Sequence, residues 1–239
     1  EHVVSFHDPS SPVGEQYKIL RTNIQSLKHT KNYKSYVLTS AIDGEGKTLT
    51  SLNLVIAMAH DLNNKSVLLI DADMRKGRVA KYLGLKSHPG LSELLQNKAE
   101  SESVFVNLGV ENLTVVLSGK TTKKPSELLN SKKMEQLLSM FKSKFDYIFI
   151  DTPPVMSVTD ACILGPIVDG VILVIQAGRT QRDVVKHAES RLYQARAKTI
   201  GYVMTNLEYH LPHYLYRYMH KYDNYYAYAQ HEPVEAKTK

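Results

Sequence analysis

The stretch SYVLTSAIDGEGKTLTSLNLVIAMAH, residues 35–60, combines an apolar run, a short loop with two glycines and a longer apolar run. The first run has the length and residue types of a buried strand, and the second has those of a helix. Gly44 and Gly46 allow the backbone to curl around a phosphate group with its N–H groups pointing inward. Lys47 begins the predicted helix, whose positive dipole end also attracts anions. The stretch therefore predicts a phosphate-binding loop.

Residues 41–48 match the Walker A pattern, with alanine in its first position. In that pattern the lysine, here Lys47, reaches the β- and γ-phosphates of a nucleotide, and the hydroxyl of Thr48 binds Mg²⁺. A chance match in an ordinary strand–helix turn is the alternative, but the required strand and helix are both predicted. ATP binding is predicted for Asp43, Gly44, Glu45, Gly46, Lys47, Thr48 and Leu49.

The chain alternates between strand-like and helix-like segments. Strands are predicted at residues 35–40, 66–71, 112–117, 146–151, 170–176 and 199–206, and helices at 47–60, 125–142 and 181–197. Several strands are apolar at nearly every position, as expected when both of their faces are covered. This alternation is typical of an α/β fold with a doubly wound, mostly parallel sheet and flanking helices. Ligands of such sheets bind beyond the carboxyl ends of the strands.

Three aspartates stand at the carboxyl ends of predicted strands. Asp71 and Asp73 follow one apolar run, and we expect both to project toward the crevice of the phosphate-binding loop. One carboxylate can hold Mg²⁺ or its waters, and the other can take a proton from a nucleophile. Asp151 ends the apolar run YIFI in the position of a Walker B aspartate. A turn-capping role is the alternative for each residue alone, but the ordered set of motifs favours a nucleotide site.

The two ends of the chain flank this core. Ser11 and Pro12 have the positions of a helix cap and a first helical residue, so a helix is predicted over about 12–29. The core is predicted to end at residue 208, and residues 209–239 are predicted to be a flexible, tyrosine-rich tail. Its tyrosines follow neither a strand period nor a helix period throughout. A platform for stacking nucleic-acid bases is the alternative, but the sequence shows no basic groove elsewhere.

Composition restricts the class of protein. The chain has 239 residues, 43% hydrophobic and 23% charged, which suits one globular domain with extensions. The net charge of +6 favours anionic partners. The single cysteine, Cys162, excludes an internal disulfide, and the ten histidines show no metal-ligand spacing. No membrane span or signal peptide is visible, and because the chain begins at Glu1 we expect a cytoplasmic piece of a longer protein.

These motifs resemble those of the bacterial tyrosine kinases (BY-kinases) of capsule and exopolysaccharide synthesis, over nearly the whole chain. AIDGEGKT (41–48) resembles their Walker A motif, VLLIDADMR (67–75) their distinctive Walker A′ motif, and YIFIDTPPV (147–155) their Walker B motif. SGKTTKKPSELL (118–129) is similar to a further segment of the family. Cell-division and plasmid-partition ATPases carry an additional early lysine, where this chain has Ile42.

The resemblance implies an ATP- and Mg²⁺-dependent kinase that phosphorylates its own tyrosines and regulates the polymerisation or export of polysaccharide. Lys47, Asp71 and Asp73 are the implied catalytic residues, with Asp71 taking the phenol proton. Thr48, Asp73 and Asp151 would hold Mg²⁺, partly through water. The implied phosphorylation sites, on the tail of a neighbouring subunit, are Tyr214, Tyr216, Tyr218, Tyr222, Tyr225, Tyr226 and Tyr228.

The resemblance also implies an assembly. EQYKILRTNI (15–24) is similar to the family's E-x-x-R-x-x-R helix, which packs into the neighbouring subunit of a ring. Glu15 and Arg21 match, and Lys18 stands in place of the middle arginine. The implied partners are other copies of this chain, in an octamer by resemblance, a membrane activator that is fused or separate, and a tyrosine phosphatase. No nucleic acid is expected, and the implied location of this soluble chain is the cytoplasmic face of the bacterial membrane.

The residues after the last two predicted strands are further candidates for the nucleotide site. Asn206 ends the last predicted strand and is a candidate adenine ligand, with a plain strand-end turn as the alternative. Arg179 and Thr180 follow the strand before it, at the edge of the crevice, where a solvated loop is the alternative. The other class of function is a P-loop ATPase switch of the partition or septum-placement type, which cycles on membrane or nucleic acid without kinase chemistry.

Overall fold

The computed structural model describes residues 3–60, 64–86 and 88–207, and strands in these residues form one seven-stranded sheet. The strands are β1 (Ser35–Ser40), β2 (Val67–Asp71), β3 (Phe105–Asn107), β4 (Leu113–Val116), β5 (Tyr147–Asp151), β6 (Gly170–Gln176) and β7 (Thr199–Thr205). Their order across the sheet is β3-β4-β2-β5-β1-β6-β7. Neighbouring strands are parallel except β3 and β4, which pair antiparallel. The predicted mostly parallel α/β sheet is confirmed.

Helices cover both faces of the sheet. They are α1 (Val4–His7), α2 (Pro12–Lys31), α3 (Lys47–Ala59), α4 (Arg78–Tyr82), α5 (Leu91–Leu95), α6 (Pro125–Leu129), α7 (Lys132–Lys144), α8 (Asp160–Leu164) and α9 (Arg182–Gln194), with 3₁₀ turns at Glu102–Val104 and Gly165–Ile167. One apolar layer includes Phe141 of α7 and Leu192 of α9, and the other includes Ile24 of α2 and Leu52 of α3. Because both faces are covered, β1, β2 and β5 are buried at every position.

The carboxyl ends of the three central strands lie side by side. β5 runs between β1 and β2, and Asp151 is in register with Leu38 on one side and Asp71 on the other. β1 leads directly into the glycine-containing loop and α3. Two strand-end carboxylates and the phosphate-binding loop therefore meet at one edge of the sheet, where ligands of such folds bind.

Several helix and strand boundaries test the sequence predictions. The N-terminal helix is confirmed: the Ser11 hydroxyl caps α2 by accepting a hydrogen bond from the Gly14 amide at 3.1 Å. The single helix predicted at 125–142 is wrong, because Ser131 interrupts it and caps α7 through the Met134 amide at 3.3 Å. Strand β3 was not predicted, since a three-residue antiparallel edge strand is too short to show a period.

The predictions about a membrane span and about the C-terminal tail are only partly covered by the described residues. Within them, no helix combines the length and the apolar character that a membrane crossing requires. Residues 208–239, which include the predicted tail and all seven implied phosphorylation sites, lie outside the described residues. The predicted boundary at residue 208 therefore stays a prediction.

Candidate active site

The loop between β1 and α3 has the backbone shape that phosphate binding requires. Gly44 and Gly46 have φ angles of 85° and 87°, in the left-handed region that residues with side chains rarely adopt. The first hydrogen bond of α3 runs from the Thr50 amide to the Gly46 carbonyl at 2.8 Å. The amides of residues 47–49 therefore have no partner within the helix, and together with the helix dipole they form a site for an anion.

Lys47 and Thr48 lie among the strand-end carboxylates. The Thr48 hydroxyl donates a hydrogen bond of 2.7 Å to Oδ2 of Asp151. Lys47 Nζ lies 3.7 Å from the same oxygen and 4.0 Å from Oδ2 of Asp73. All four residues are buried. The structure thus brings together the predicted phosphate-binding lysine and the three predicted Mg²⁺ ligands.

Protein groups enclose the Asp151 carboxylate. Its second oxygen, Oδ1, accepts a hydrogen bond of 3.2 Å from the hydroxyl of Ser51, one turn of α3 after Lys47. Burial raises the pKa of Asp151, while Lys47 and the two hydroxyls oppose that rise. Sequence reasoning missed Ser51, although its position four residues after Lys47 places both on one face of the helix.

Asp71 is shielded inside the Walker A′ loop. Its carboxylate is 0% exposed and accepts hydrogen bonds from the amides of Asp73 at 3.0 Å and Val79 at 3.2 Å. Burial is the main cause that raises its pKa to about 8, and the nearby Asp151 carboxylate adds to the rise. The burial that shields Asp71 therefore favours its protonated form.

Asp73 faces the phosphate-binding loop. Its Oδ1 accepts hydrogen bonds from the amides of Arg75 at 3.3 Å and Lys76 at 3.0 Å. The other oxygen is the one that lies 4.0 Å from Lys47. The two aspartates of the motif thus differ in their surroundings: Asp73 lies near Lys47, and Asp71 is bonded to amides of its own loop.

The acidic residues within the P-loop are held by other parts of the chain. The exposed Asp43 pairs with Lys76 at 2.7 Å and with Arg78 at 3.3 Å, and the hydrogen bond from Lys76 holds the pKa of Asp43 below its usual range. This pair joins the P-loop to the Walker A′ loop across the mouth of the site. A charge on a bound nucleotide would therefore be close to two basic side chains.

Glu45 anchors the P-loop to the last two strands of the sheet. Its buried carboxylate accepts hydrogen bonds from the amides of Ile42 at 2.7 Å and Gln176 at 3.2 Å, and from the Thr180 hydroxyl. Its carbonyl accepts a hydrogen bond of 2.8 Å from the Thr205 hydroxyl. Any contribution of Glu45 to ATP binding therefore comes from its backbone and from holding the loop in shape.

Arg179 and Asn206 lie at the rim of the P-loop. The guanidinium of Arg179 donates to the carbonyls of Asp43 at 3.2 Å and Gly44 at 3.1 Å. Asn206 is exposed, has a left-handed φ of 54° and directly follows Thr205, the residue bonded to the loop. The predicted adenine ligand is thus next to the loop, and Arg179 supports the loop from outside rather than lying free in solvent.

A buried carboxylate outside the predicted set supports the Walker A′ loop. Asp160 begins α8, is fully buried, and accepts a hydrogen bond of 2.7 Å from the Ser126 hydroxyl of α6. Arg75 lies 3.3 Å from the same oxygen and 2.9 Å from the Ser126 hydroxyl. This network ties the loop after β2 to two helices. It could not be found from sequence, because its members are 34 to 85 residues apart.

The predicted subunit-contact residues lie on the partly buried side of α2. Glu15 and Lys18 pair with each other at 2.6 Å. Arg21 donates a hydrogen bond of 3.0 Å to the carbonyl of Ala57, near the end of α3. The three residues do share one face of the helix, and Arg21 also has a role within its own chain.

The residues at the site fit Mg²⁺. A hydroxyl and carboxylates are the hard oxygen ligands that this ion prefers, and Mg²⁺ binds through a few protein ligands, waters and phosphate oxygens. Thr48, Asp73 and Asp151 supply such oxygens beside the P-loop lysine. Within the described part of the chain, no cluster of three or more His, Cys, Asp or Glu residues forms an all-protein metal site. The ion would therefore bind together with the nucleotide.

The fold and the site define a P-loop nucleotide-binding protein of the α/β class, and comparisons with known proteins place it more closely. A model described as an AAA domain matches residues 36–191. The tyrosine-protein kinase YwqD of Bacillus subtilis is 37% identical over 203 residues, which are 85% of each chain. The chimerical protein CapA2B2 has a TM-score of 0.80 at 30% identity, covering 85% of this chain and 88% of that one.

The kinase domain of the Escherichia coli tyrosine kinase Etk also has a TM-score of 0.80, at 28% identity over 88% of this chain and 84% of that chain. This chain belongs to the family of bacterial tyrosine-protein kinases. The resemblance found in its three motifs is thus confirmed over most of its length.

Proposed function

We propose that this chain transfers the γ-phosphoryl group of ATP to tyrosine hydroxyls in the C-terminal tail of a neighbouring copy. The observation that carries the proposal is the buried cluster of Lys47, Thr48, Asp73 and Asp151 at the P-loop. It occurs in a chain that carries seven tyrosines between residues 214 and 228. Curated relatives at 34–37% identity are named as tyrosine-protein kinases, which supports tyrosine as the acceptor.

ATP binding falls to the loop and its lysine. The free amides of residues 47–49 and the Lys47 ammonium neutralise the phosphate oxygens, as in other P-loops. The anchors at Glu45 and Arg179 hold the loop open before the nucleotide arrives. Asn206 contacts the adenine from the rim. Most of the barrier is lowered by positioning and charge neutralisation, because a loose phosphoryl-transfer transition state leaves little covalent work for the protein.

Thr48, Asp73 and Asp151 would hold Mg²⁺, partly through water. When bound, the ion neutralises phosphate charge and orients the phosphates. Ser51 and Thr48 keep the Asp151 carboxylate in place through its two oxygens. In the resting state Lys47 compensates the charge of Asp73 and Asp151, so nucleotide binding requires that the lysine turn from the carboxylates to the phosphates.

The phenol proton passes to Asp71. In the transfer, a bond forms between the tyrosine oxygen and the γ-phosphorus, the bond from that phosphorus to the bridging oxygen breaks, ADP leaves, and the proton ends on the carboxylate. The raised pKa of Asp71, about 8, brings it closer to the phenol pKa near 10 than an exposed aspartate would be. Because its oxygens are bonded to the amides of Asp73 and Val79, the acceptor tyrosine must open the Walker A′ loop to reach it.

The assembly follows the family pattern. The copies form a ring through the α2 face that contains Glu15, Lys18 and Arg21. The ring brings the tail of each copy to the active site of the next. A membrane activator holds the ring at the cytoplasmic face of the membrane, a tyrosine phosphatase resets the tails, and the phosphorylation cycle regulates polysaccharide polymerisation or export. The relation to the chimerical protein CapA2B2 and to longer tyrosine kinases, such as EpsB of Ralstonia, supports an activator fused to the kinase or bound to it.

A mixing experiment tests transfer between copies. The donor is the full active chain with all seven tail tyrosines changed to Phe, and the acceptor is the full chain with Lys47→Met. Phosphotyrosine on the acceptor, found by mass spectrometry after ATP and Mg²⁺ are added, supports the proposal. Wild-type chain alone is the positive control. If wild type labels itself but the mixture gives no phosphotyrosine, transfer occurs within one chain. ATP hydrolysis without any phosphotyrosine would instead identify an ATPase switch.

A further inference from the structure

A groove beside the Walker A′ loop carries three lysines, of which Lys98 donates a hydrogen bond of 2.7 Å to Oε1 of Gln96. A cavity of about 770 Å³ is lined by His88, Lys98, Lys120, Thr121 and Lys123, among others. It shares His88 and Thr121 with a smaller cavity of about 210 Å³, which is also lined by residues 76–77 of the Walker A′ loop. The two cavities therefore adjoin, and the larger one extends away from the active-site mouth. We call the surface formed by His88, Lys98, Lys120, Thr121 and Lys123 the basic groove.

The charge of the basic groove is not compensated. Lys98, Lys120 and Lys123 are exposed, and within the described residues none of them forms an ion pair. The carboxylate that lines the cavity, Glu93, already accepts hydrogen bonds from the Gly90 and Lys120 amides at 2.8 and 3.2 Å. Burial would raise the pKa of Glu93, but its hydrogen bonds outweigh burial and hold the pKa below the usual range. The groove is therefore suited to an anion.

The smaller cavity, which adjoins the basic groove, has a tightly packed backbone at Gly77 and Gly119. Gly119 has a φ of 77°, and a Cβ there would lie 2.0 Å from Oε2 of Glu93. A Cβ on Gly77 would lie 2.3 Å from the Ser118 hydroxyl oxygen. The backbone next to Lys120 is thus held close to the Walker A′ loop. A fixed backbone loses less conformational entropy on binding than a loose loop would.

We propose that the basic groove binds a phosphotyrosine already formed on the acceptor tail while a neighbouring tyrosine of that tail enters the active site. The ligand class is a phosphotyrosine peptide, and the inference rests on the proposed function in taking the tail as the acceptor. Phosphotyrosine carries a charge of about −1.5 to −2 at neutral pH, which three lysines match. Each phosphate added would then retain the tail for the next transfer.

The spacing of the tyrosines suits this arrangement. Along the tail they are separated by one to four residues, as in Tyr222, Tyr225 and Tyr226. An extended chain spans about 3.3 to 3.6 Å per residue, so neighbouring phenols lie within roughly 14 Å of each other along the backbone. A tail with one tyrosine in the active site can therefore place another in a groove that adjoins the Walker A′ loop. A tail with a single tyrosine could not use the groove in this way, because it has no second tyrosine for the active site.

A binding measurement tests the site without any catalysis. The probe is a fluorescent peptide of residues 217–229 with phosphate on Tyr222, compared with the same peptide unphosphorylated. Full-length dephosphorylated protein without ATP should bind the phosphopeptide at least about tenfold more tightly, a preference within reach of three exposed charge pairs. The triple variant Lys98→Gln, Lys120→Gln, Lys123→Gln should reduce the preference to less than about twofold. Equal binding of both peptides by the wild type would overturn the proposal.

Matched controls separate the groove from general charge. The variant Lys31→Gln, Lys65→Gln, Lys186→Gln removes three exposed lysines outside the groove and should keep the wild-type preference. Inorganic phosphate and a phosphoserine version of the peptide test whether the tyrosine ring is needed. If both displace the probe at the same concentration as phosphotyrosine peptide, or if both triple variants lose the preference equally, the groove is a general anion site and the proposal fails.

The distribution of products gives a second test. At equal ATP consumption, wild type should form mainly unphosphorylated and multiply phosphorylated tails, and the groove variant should accumulate singly phosphorylated tails, as counted by intact mass spectrometry. The same distribution in both proteins would contradict the proposal. The binding test does not depend on kinase activity. If the wild type shows no preference for the phosphopeptide, the result counts against the groove alone. If the wild type forms no phosphotyrosine, the result counts against the proposed function.

Discussion

The Thr48 hydroxyl donates a 2.7 Å hydrogen bond to Oδ2 of Asp151, joining two residues that are 103 positions apart in the chain. The bond links the first turn of the P-loop helix to the end of the central strand β5. Both groups are buried, where an unpaired polar atom is costly. This contact orients the two groups that the proposed function assigns to Mg²⁺, and it gives the first prediction.

Thr48→Val should lower the initial rate of phosphotyrosine formation more than Ser51→Ala. Valine keeps the shape of threonine but removes the donor to Asp151 and a proposed Mg²⁺ ligand, whereas Ser51→Ala removes only a second hydrogen bond to Asp151. Loss of such a supporting partner lowers activity by about 10- to 100-fold, so we expect that range for Ser51→Ala and a larger loss for Thr48→Val. Rates at saturating ATP and Mg²⁺ measure both, and the reverse order would contradict these roles.

Lys47→Met should abolish phosphotyrosine and leave the fold intact. The loop backbone is held by Gly44, Gly46 and the anchors of Glu45, none of which involves the lysine side chain. The change does remove the cation nearest to Asp151, so the pKa of that carboxyl should rise further. Anti-phosphotyrosine blotting measures the loss of phosphotyrosine, and far-UV circular dichroism measures whether the fold is intact. Autophosphorylation at the wild-type rate would show that Lys47 has been assigned wrongly.

Asp71→Asn and Asp73→Asn should both reduce kcat far more than they raise KM for ATP, because the proposed roles lie in the transition state. The pH dependence should separate them. If Asp71 is the base, kcat of the wild type rises with pH until the group is ionised, near its pKa of about 8. Asp73→Asn should keep that rise and Asp71→Asn should lose it. A residual rate with the same pH profile in Asp71→Asn would assign the base elsewhere.

The stability of the protein should fall with rising pH because of Asp71. Its pKa is about 8 when folded and 3.8 for the unperturbed group. The folded state therefore binds more protons between these values, so the contribution is fully present below about pH 4 and is lost as pH rises through about 8. Over that window the free energy of unfolding should therefore decrease with rising pH relative to Asp71→Asn. Urea denaturation at pH 5, 7 and 9 measures this difference, and parallel curves would refute it.

Changes on α2 should separate assembly from folding. Glu15→Ala with Lys18→Ala removes only a half-exposed pair, worth up to about 1 kcal/mol, so monomer stability should change little. Arg21→Ala also removes the hydrogen bond to the Ala57 carbonyl and should cost about 1 to 2 kcal/mol. If this face contacts the next subunit, both variants lower the particle mass in light scattering. A ring of unchanged mass in the double variant would exclude the face as an interface.

Much of the fold could be predicted because its signals are local. The strands at 35–40 and 170–176 match β1 and β6 to the residue, since each has apolar residues at its centre and polar residues or glycine at its ends. The break at Ser131 was missed because capping depends on one hydroxyl in a segment whose helical pattern continues on both sides. β3 was missed because its pairing with β4 is a long-range contact that no local period reveals.

For the site too, the residues in local motifs could be predicted, and the contacts between distant segments could not. The Walker motifs placed Lys47, Thr48, Asp73 and Asp151 in one crevice, and the structure brings them within 4.0 Å of Lys47 or of each other. The shielding of Asp71 could not be predicted, because it depends on the turn that brings the Val79 amide back to the carboxylate. The basic groove was not predicted from the sequence, because Lys98 is 22 residues before Lys120 and only the fold brings it beside Lys120 and Lys123.

The hydrogen bond from Thr205 to the Glu45 carbonyl makes strand β7 part of the support of the ATP-binding loop. Among the described strands β7 lies at the edge of the sheet and pairs only with β6. A change that loosens β7 from β6 would therefore also remove this hydrogen bond from the loop. The order of the last described strand and the shape of the nucleotide site thus depend on each other. A chain cut before Thr205 would lose this anchor of the loop.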